Sequence, residues 1–87
     1  MEIEKYLINK GINAGLIGFD YLTEAIELIR KDSAYKHLVT KRLYPEIAKT
    51  FKATPLSVDR SMKYALKQAN IKTTLSDFII TAEIETR

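Results

Sequence analysis

Apolar residues recur every three or four positions along almost the whole chain, which is the spacing of helices with one buried face. Five helices are predicted, of which the first ends at Gly11 and the second is capped by Asp20 and ends near Asp32. The third helix is predicted to start near Thr40. The fourth should start at Pro55 and end near Asn70, and the fifth should start at Leu75. Residues 78–81 could form a strand by propensity, but no partner strand is predicted. We therefore expect one all-α domain over residues 1–87, a compact bundle of five to six helices.

A helix-turn-helix is predicted over about residues 44–69. Such a motif needs two helices joined by a tight turn, with a small residue where they cross, and Ile47 followed by an alanine offers the apolar and small pair. Phe51 continues the i+4 spacing of this helix and is expected on its core side, while Ala53 is expected to be buried in the turn. Lys52 stands where many such motifs place glycine, so it should adopt a left-handed backbone at some cost.

The helix that begins at Pro55 is predicted to be the recognition helix. Thr54 is expected to cap it, and proline suits the first helical position because its missing N–H would have no partner there. Its inward residues should be Val58, Met62, Ala65, Leu66 and Ala69. Its outward residues should be Leu56, Ser57, Asp59, Arg60, Lys63, Tyr64 and Lys67. This outer face suits the major groove of DNA, and a solvated face held by pairs such as Asp59 with Lys63 is the alternative.

The outer face supplies donors and acceptors for base edges. Arg60 or Lys63 can donate to guanine, Ser57 can hydrogen-bond to several bases, and Asp59 can accept from cytosine or orient Arg60. The predicted base-contacting residues are therefore Ser57, Asp59, Arg60 and Lys63. The predicted backbone-contacting residues are Lys41, Lys49, Lys52, Thr54, Tyr64 and Lys67, with Lys36 and Lys72 as further candidates.

The positive charge of the chain is concentrated in its middle. The formal net charge is +3, but residues 36–72 hold nine basic and two acidic residues, a net of +7. Residues 1–35 and 73–87 each carry a net charge of −2. This asymmetry favours a surface in the middle of the chain that faces a polyanion, and a lysine-rich solvated face is the alternative.

Several functional classes find no support in the sequence. The chain has no cysteine for a disulfide or a thiolate metal site, and no apolar run approaches the roughly 18 residues that span a bilayer. The lone His37 and the pair Glu24 and Glu27 are more readily surface groups than metal ligands or an acid–base pair. We expect a cytoplasmic protein that is not an enzyme and uses no metal or cofactor.

Three segments resemble the C-terminal DNA-binding effector domain of the stage-zero sporulation protein A family, the sporulation response regulators of endospore-forming bacteria. They are GINAGLIGFDYLTEAIELI (residues 11–29), VTKRLYPEIAKTF (residues 39–51) and TPLSVDRSMKYAL (residues 54–66). The second segment is similar to the family pattern (I/V)-T-K-V-L-Y-P-x-I-A-K-K-(F/Y). The resemblance covers about residues 3–87.

This resemblance implies a six-helix all-α fold that binds promoter DNA through the helix starting near Thr54, often as tandem copies on adjacent sites. The family's base- and backbone-contacting positions fall on Ser57, Asp59, Arg60 and Lys63. Ser57 and Lys63 each stand where the family has an arginine, so the preferred DNA sequence should differ from the family's. Residues 70–74 replace a longer stretch that in the family helps to contact the RNA polymerase sigma factor, a further partner that the resemblance implies.

A second hypothesis is a protein-interaction module, for example an antagonist that pairs with a full-length regulator of the same family. No receiver domain precedes the helical region in this sequence, so control by phosphorylation is not expected. The acidic first helices and the acidic tail would then form the protein-facing surface.

Overall fold

The computed structural model describes residues 2–87 and consists of five α-helices. They are α1 (Ile3–Asn9), α2 (Ile17–Lys31), α3 (Tyr44–Phe51), α4 (Pro55–Gln68) and α5 (Leu75–Glu85). A 3₁₀ turn at Ser33–His37 and a π-helical turn at Val39–Leu43 connect α2 to α3. The described residues contain no strand, so the predicted all-α bundle is confirmed, and residues 78–81 lie within α5. In this part of the chain no helix combines the length and the apolar character needed to cross a membrane.

The start of α2 differs from the prediction that Asp20 caps this helix. The helix begins at Ile17, after an extended Leu16 whose side chain caps no N–H, and Asp20 lies in the first turn with an exposed side chain. The prediction was wrong, and the helical residues before Asp20 include Gly18, which lies against α4. An acidic residue in the first turn still suits the positive end of the helix dipole.

The third helix starts at Tyr44 rather than near Thr40. The preceding turn is wider than an α-helix, and in it the Tyr44 N–H donates to the Val39 carbonyl five residues back. Pro45 has no N–H, so an α-helical ladder cannot continue through it from the earlier residues. The proline is instead accommodated in the first turn of α3, where that hydrogen bond is not needed.

Helix α4 ends close to Asn70, as predicted, whereas two residues near the end of α3 differ from their predicted burial. The helix α4 ends at Gln68, and Asn70 adopts a left-handed backbone with a φ of 58°. Phe51 is 37% exposed and packs edge-on against Tyr21, with ring centroids 5.1 Å apart, rather than lying in the core. Ala53 is half-buried rather than buried. Phe51 and Ala53 lie at and just beyond the end of α3, where fewer neighbouring elements cover a side chain than in the middle of a helix.

The hydrophobic core is built around α2, which packs against all four other α-helices. The inward faces of α2, α4 and α5 are buried. The largest fully buried side chains are Leu7, Leu22, Ile26, Ile29, Leu43, Ile47, Val58, Met62 and Ile79. Each such side chain stabilises the fold by roughly 1.5–3 kcal/mol relative to its exposure in water. The position of α2 therefore determines where the other helices can pack.

Helices α2 and α4 approach each other closely at Gly18. A Cβ at this position would lie 2.2 Å from the Ser61 carbonyl oxygen and 2.8 Å from its carbonyl carbon. These atoms belong to the backbone of α4 and cannot move aside as the end of a flexible side chain could. The contact therefore fixes how α4 lies against α2.

Acidic residues of α5 hold the two ends of the chain in place. Glu83 is buried, with Oε2 3.3 Å from Nε of Arg30 on α2 and Oε1 2.8 Å from Nη2 of Arg87. The hydrogen bond from Arg87 lowers the pKa of Glu83 and Arg30 adds to this effect, although burial acts to raise it. The Tyr6 hydroxyl of α1 donates to Oε1 of Glu85 at 2.5 Å, and burial together with this bond raises the pKa of Tyr6 to about 12. The two glutamates of the tail, Glu83 and Glu85, are therefore engaged within the fold.

Gly18→Ala should destabilise the protein by about 1–3 kcal/mol or more, because the added Cβ forces α2 and α4 apart. The measurement is urea unfolding followed by circular dichroism. Gly15→Ala is the matched control, since its Cβ would meet only Oδ1 of the exposed Asn13 side chain, at 3.2 Å. Equal losses of stability in the two variants would contradict this role of Gly18.

The free energy of unfolding should decrease as the pH falls below about 4.5, the ordinary pKa of glutamate, because Glu83 has a lower pKa in the folded chain than in the unfolded chain. This contribution is complete above the unfolded pKa and is lost as the pH falls through the folded pKa. Glu83→Gln should be less stable than the parent at pH 7, and the difference should shrink below about pH 4.5. Parallel pH profiles for the two proteins would show that Glu83 does not make this contribution.

Candidate nucleic-acid interface

The first turn of α4 is closed by a reciprocal pair of hydrogen bonds. The Ser57 N–H donates to Thr54 Oγ1 at 3.1 Å, and the Thr54 N–H donates to Ser57 Oγ at 3.3 Å. Pro55 occupies the first helical position, where its missing N–H removes no bond. The predicted cap at Thr54 and the predicted start at Pro55 are confirmed. This capping box holds the N-terminal half of α4 in a defined conformation.

A short turn, residues 52–54, joins α3 to α4. Lys52 has a φ of 55° and a ψ of 46°, the left-handed backbone predicted for it. The Ala53 N–H then donates to the Ala48 carbonyl at 2.8 Å, which satisfies a carbonyl at the end of α3. Ile47 and Ala48 are buried, as the crossing of two helices requires. The two helices and this turn fit the predicted helix-turn-helix.

The outer face of α4 lies opposite its buried residues. The buried residues are Val58, Met62, Ala65 and Leu66. At about 100° per residue, the opposite side of the helix carries Leu56, Arg60, Lys63 and Lys67, and all four are exposed. Tyr64 is 52% exposed and, with Arg60, lines a shallow depression of about 300 Å³ against the start of α2. The outer face is therefore basic, with one large apolar residue near its N-terminal end.

Asp59 connects the two helices of the motif. Its Oδ2 lies 3.1 Å from Nζ of Lys63, and its side chain is only 22% exposed. Burial raises the pKa of the Tyr44 hydroxyl on α3, and the charge of Asp59 and a hydrogen bond to its carboxylate raise it further. Asp59 therefore helps to hold α3 against α4 and partly neutralises Lys63.

The hydroxyl of Ser57 is largely used within the cap. Besides accepting from the Thr54 N–H, it donates to the Thr54 carbonyl at 2.9 Å. A serine hydroxyl has one donor and two acceptor lone pairs. Ser57 therefore keeps one acceptor position for an external group and has no free donor. Of the base contacts predicted for it, only those with a hydrogen-bond donor of a base remain possible.

Arg60 and Lys63 are the most accessible of the four residues predicted to contact bases. The Arg60 side chain is exposed and forms no ion pair with any residue from 2 to 87. The Lys63 side chain is 64% exposed, although its Nζ is paired with Asp59. A guanidinium offers two parallel donors in one plane, whereas an ammonium is a point charge. Arg60 thus has the best geometry for a specific contact.

The residues predicted to contact phosphates fall into two groups. The first group lies on the last turn of α3, the connecting turn and α4, and its exposed members are Lys49, Lys52, Thr54, Tyr64 and Lys67. Lys41 lies instead on the π-helical turn and, with Lys36 and Ser76, lines a depression of about 430 Å³. Because Ser76 is in the first turn of α5, Lys41 and Lys36 lie beside the start of that helix.

A groove of about 800 Å³ lies between the C-terminal half of α4 and residues 70–75. Its charged lining residues are Lys63, Lys67 and Lys72, and we call it the lysine groove. It extends the positive surface of α4 to the start of α5. The sequence indicated Lys72 only as a further candidate, because spacing along the chain does not show that residues 70–75 fold back beside α4.

Residues 3–85 match the family model described as Sporulation initiation factor Spo0A C terminal. The chain belongs to this family. The match spans all five helices and confirms the resemblance carried by three segments of the sequence. The Spo0A C-terminal domain is the DNA-binding domain of a sporulation regulator and not a catalytic domain, so this chain is a DNA-binding regulatory domain of that type.

The two positions at which the resemblance implies an arginine in the family, Ser57 and Lys63, both have an intramolecular role here. Ser57 completes the capping box with Thr54, and Lys63 pairs with Asp59. A serine is short enough to bond to the backbone three residues earlier, and a lysine reaches a carboxylate one turn earlier on the helix. The first half of α4 is thus held by its own side chains, and Arg60 is its remaining free guanidinium.

Thr54→Ala should destabilise the protein by about 1 kcal/mol, because the Ser57 N–H loses its acceptor at the start of α4. Thr54→Ser is the matched control, since it keeps the capping oxygen and should remain close to the parent. Urea unfolding at pH 7 measures both variants. A loss in the serine variant as large as that in the alanine variant would mean that the threonine methyl group, and not the cap, stabilises this turn.

Proposed function

We propose that this chain is a sequence-specific regulator of transcription that binds double-stranded DNA with α4 in the major groove. The observation that carries the proposal is the outward, exposed position of Arg60 in the N-terminal half of α4, with Lys63 and Lys67 following on the same face. In helix-turn-helix proteins this half of the recognition helix contacts base edges. An arginine there matches guanine, whose O6 and N7 accept its two parallel donors.

Each predicted site residue has a role in this proposal. Arg60 donates to a guanine, Lys63 donates to a neighbouring base while Asp59 positions it, and Ser57 accepts from the amino group of cytosine or adenine. The phosphates are held by Lys41, Lys49, Lys52, Thr54, Tyr64 and Lys67. Because serine and lysine replace two arginines of the family pattern, the preferred DNA sequence should differ from the family's.

The test is a selection of bound oligonucleotides from a random double-stranded pool at about 100 mM salt. An enriched motif is the expected result. A pool without enrichment would contradict the proposal and favour the alternative, a protein-interaction module or an antagonist of a full-length regulator of the family. If about five phosphates are neutralised, the slope of log K against log salt should be on the order of −4 to −5, and a slope near zero would exclude this mode of binding.

Arg60→Ala should weaken binding to the selected site by about 1–3 kcal/mol and relax the preference at one base pair. Lys67→Ala is the comparison variant. Loss of a phosphate contact should weaken binding about equally on all DNA sequences and should reduce the slope of log K against log salt by about 1. Binding titrations on the selected site and on single-base variants of it measure both effects. A uniform loss on all sequences for Arg60→Ala would assign Arg60 to a phosphate instead of a base.

We also propose, from the family resemblance, that two copies bind side by side on adjacent DNA sites. Binding to a fragment with two sites should then be tighter than binding to either single site. Any contact with the RNA polymerase sigma factor would involve residues 70–74, which form one wall of the lysine groove. In this proposal residues 1–87 act as one DNA-binding domain in the cytoplasm.

A further inference from the structure

Leu56, the second residue of α4, extends a large apolar side chain into solvent. It is 57% exposed, the highest value among the exposed large apolar side chains of residues 2–87. It belongs neither to the buried core nor to the half-buried side chains packed against the core. Single exposed leucines are ordinary on protein surfaces, so the inference depends on where this one lies.

Leu56 lies on the same outward line of α4 as Arg60. The two residues are four positions apart, which places them about 40° apart around the helix and about 6 Å apart along it. Successive base pairs rise by about 3.4 Å. In the function proposed above, on which this inference rests, Leu56 would therefore meet a base pair one or two steps from the guanine contacted by Arg60.

The polar side chains near Leu56 are engaged within the protein, and Ser57 keeps only one acceptor position. Ser57 completes the cap with Thr54, and Asp59 is paired with Lys63. Pro55 has no polar side-chain atom. Leu56 is therefore the free side chain at the N-terminal end of the outer face, and it can offer only an apolar contact.

We propose that Leu56 recognises a thymine by contact with its 5-methyl group. In the major groove the thymine methyl is the apolar feature of the base edges, and the other features are hydrogen-bond donors and acceptors. A leucine set against those polar groups would leave them without partners, which costs binding free energy. Leu56 thus adds a preference for thymine at a position where the chain supplies no hydrogen-bonding side chain.

The experiment replaces each thymine of the selected DNA site, one at a time, by deoxyuridine, which lacks only the 5-methyl group. At one position this change should weaken binding of the parent roughly three- to tenfold, the loss expected for one apolar methyl contact. Leu56→Ala should bind the thymine site more weakly than the parent and should not distinguish thymine from uracil there. Leu56→Met should keep most of the discrimination, because it keeps an apolar side chain of similar length.

Ile84→Ala is the matched control, because Ile84 is also large, apolar and 51% exposed but lies on α5. It should show the same sensitivity to uracil as the parent. Circular dichroism should show that the Leu56 variants are folded, since the side chain takes no part in the core.

Two results would overturn the inference while leaving the proposed function intact. One is a parent protein that tolerates uracil at every thymine of an enriched motif. The other is a loss on uracil substitution that persists unchanged in Leu56→Ala. Failure to enrich any motif would instead overturn the proposed function itself, and the role of Leu56 with it.

Discussion

The backbone contact between α2 and α4 at Gly18 is the constraint on which the rest of the structure depends. The Ser61 carbonyl occupies the space that a Cβ would need, so α4 can lie directly on α2 only because that residue is glycine. The resulting position buries Val58 and Met62 and turns Arg60 outward. The orientation of the basic face of α4 is therefore set by a backbone contact between α2 and α4 at Ser61, the residue next to Arg60.

Helix α4, the second helix of the motif, is also held in place by polar side chains beside its outer face. Asp59 joins Tyr44 of α3 to Lys63 of α4, and the capping box closes the turn between the two helices. An acidic residue would repel phosphates if it were fully exposed, but this one is only 22% exposed and is paired with a lysine. Asp59 is thus compatible with a DNA-binding face because its carboxylate interacts with partners within the protein, Lys63 and Tyr44.

The acidic and basic residues of the chain have different roles in the structure. Residues 36–72, with a net charge of +7, supply α4, the turn and the lysine groove. In the acidic tail, Glu83 binds Arg30 and Arg87, and Glu85 binds Tyr6. These carboxylates tie α5 to α2 and α1 rather than forming a free acidic surface. Of the three acidic residues of the tail, only Asp77, in the first turn of α5, keeps an exposed side chain near the lysine groove without an ion pair among residues 2–87.

Much of this fold could be predicted from the sequence, because helical periodicity and capping depend on residues three or four positions apart. The all-α fold, the cap at Thr54, the start at Pro55 and the left-handed Lys52 are of this local kind. The same spacing predicted the exposed residues of the outer face of α4, but it also placed Ser57 and Asp59 there, and these two are half-buried. Neighbouring side chains and backbone geometry are sufficient to determine such features.

Tertiary structure alone decided the features that depend on residues distant in the chain. Gly18 of α2 meets the backbone of α4, and Asp59 of α4 interacts with the hydroxyl of Tyr44 on α3. The lysine groove exists because residues 70–75 fold back beside α4. The sequence by itself therefore determined which helix carries the basic face. Only the folded chain decided which side chains on that face remain free, because intramolecular partners compete with DNA for the same donors and acceptors.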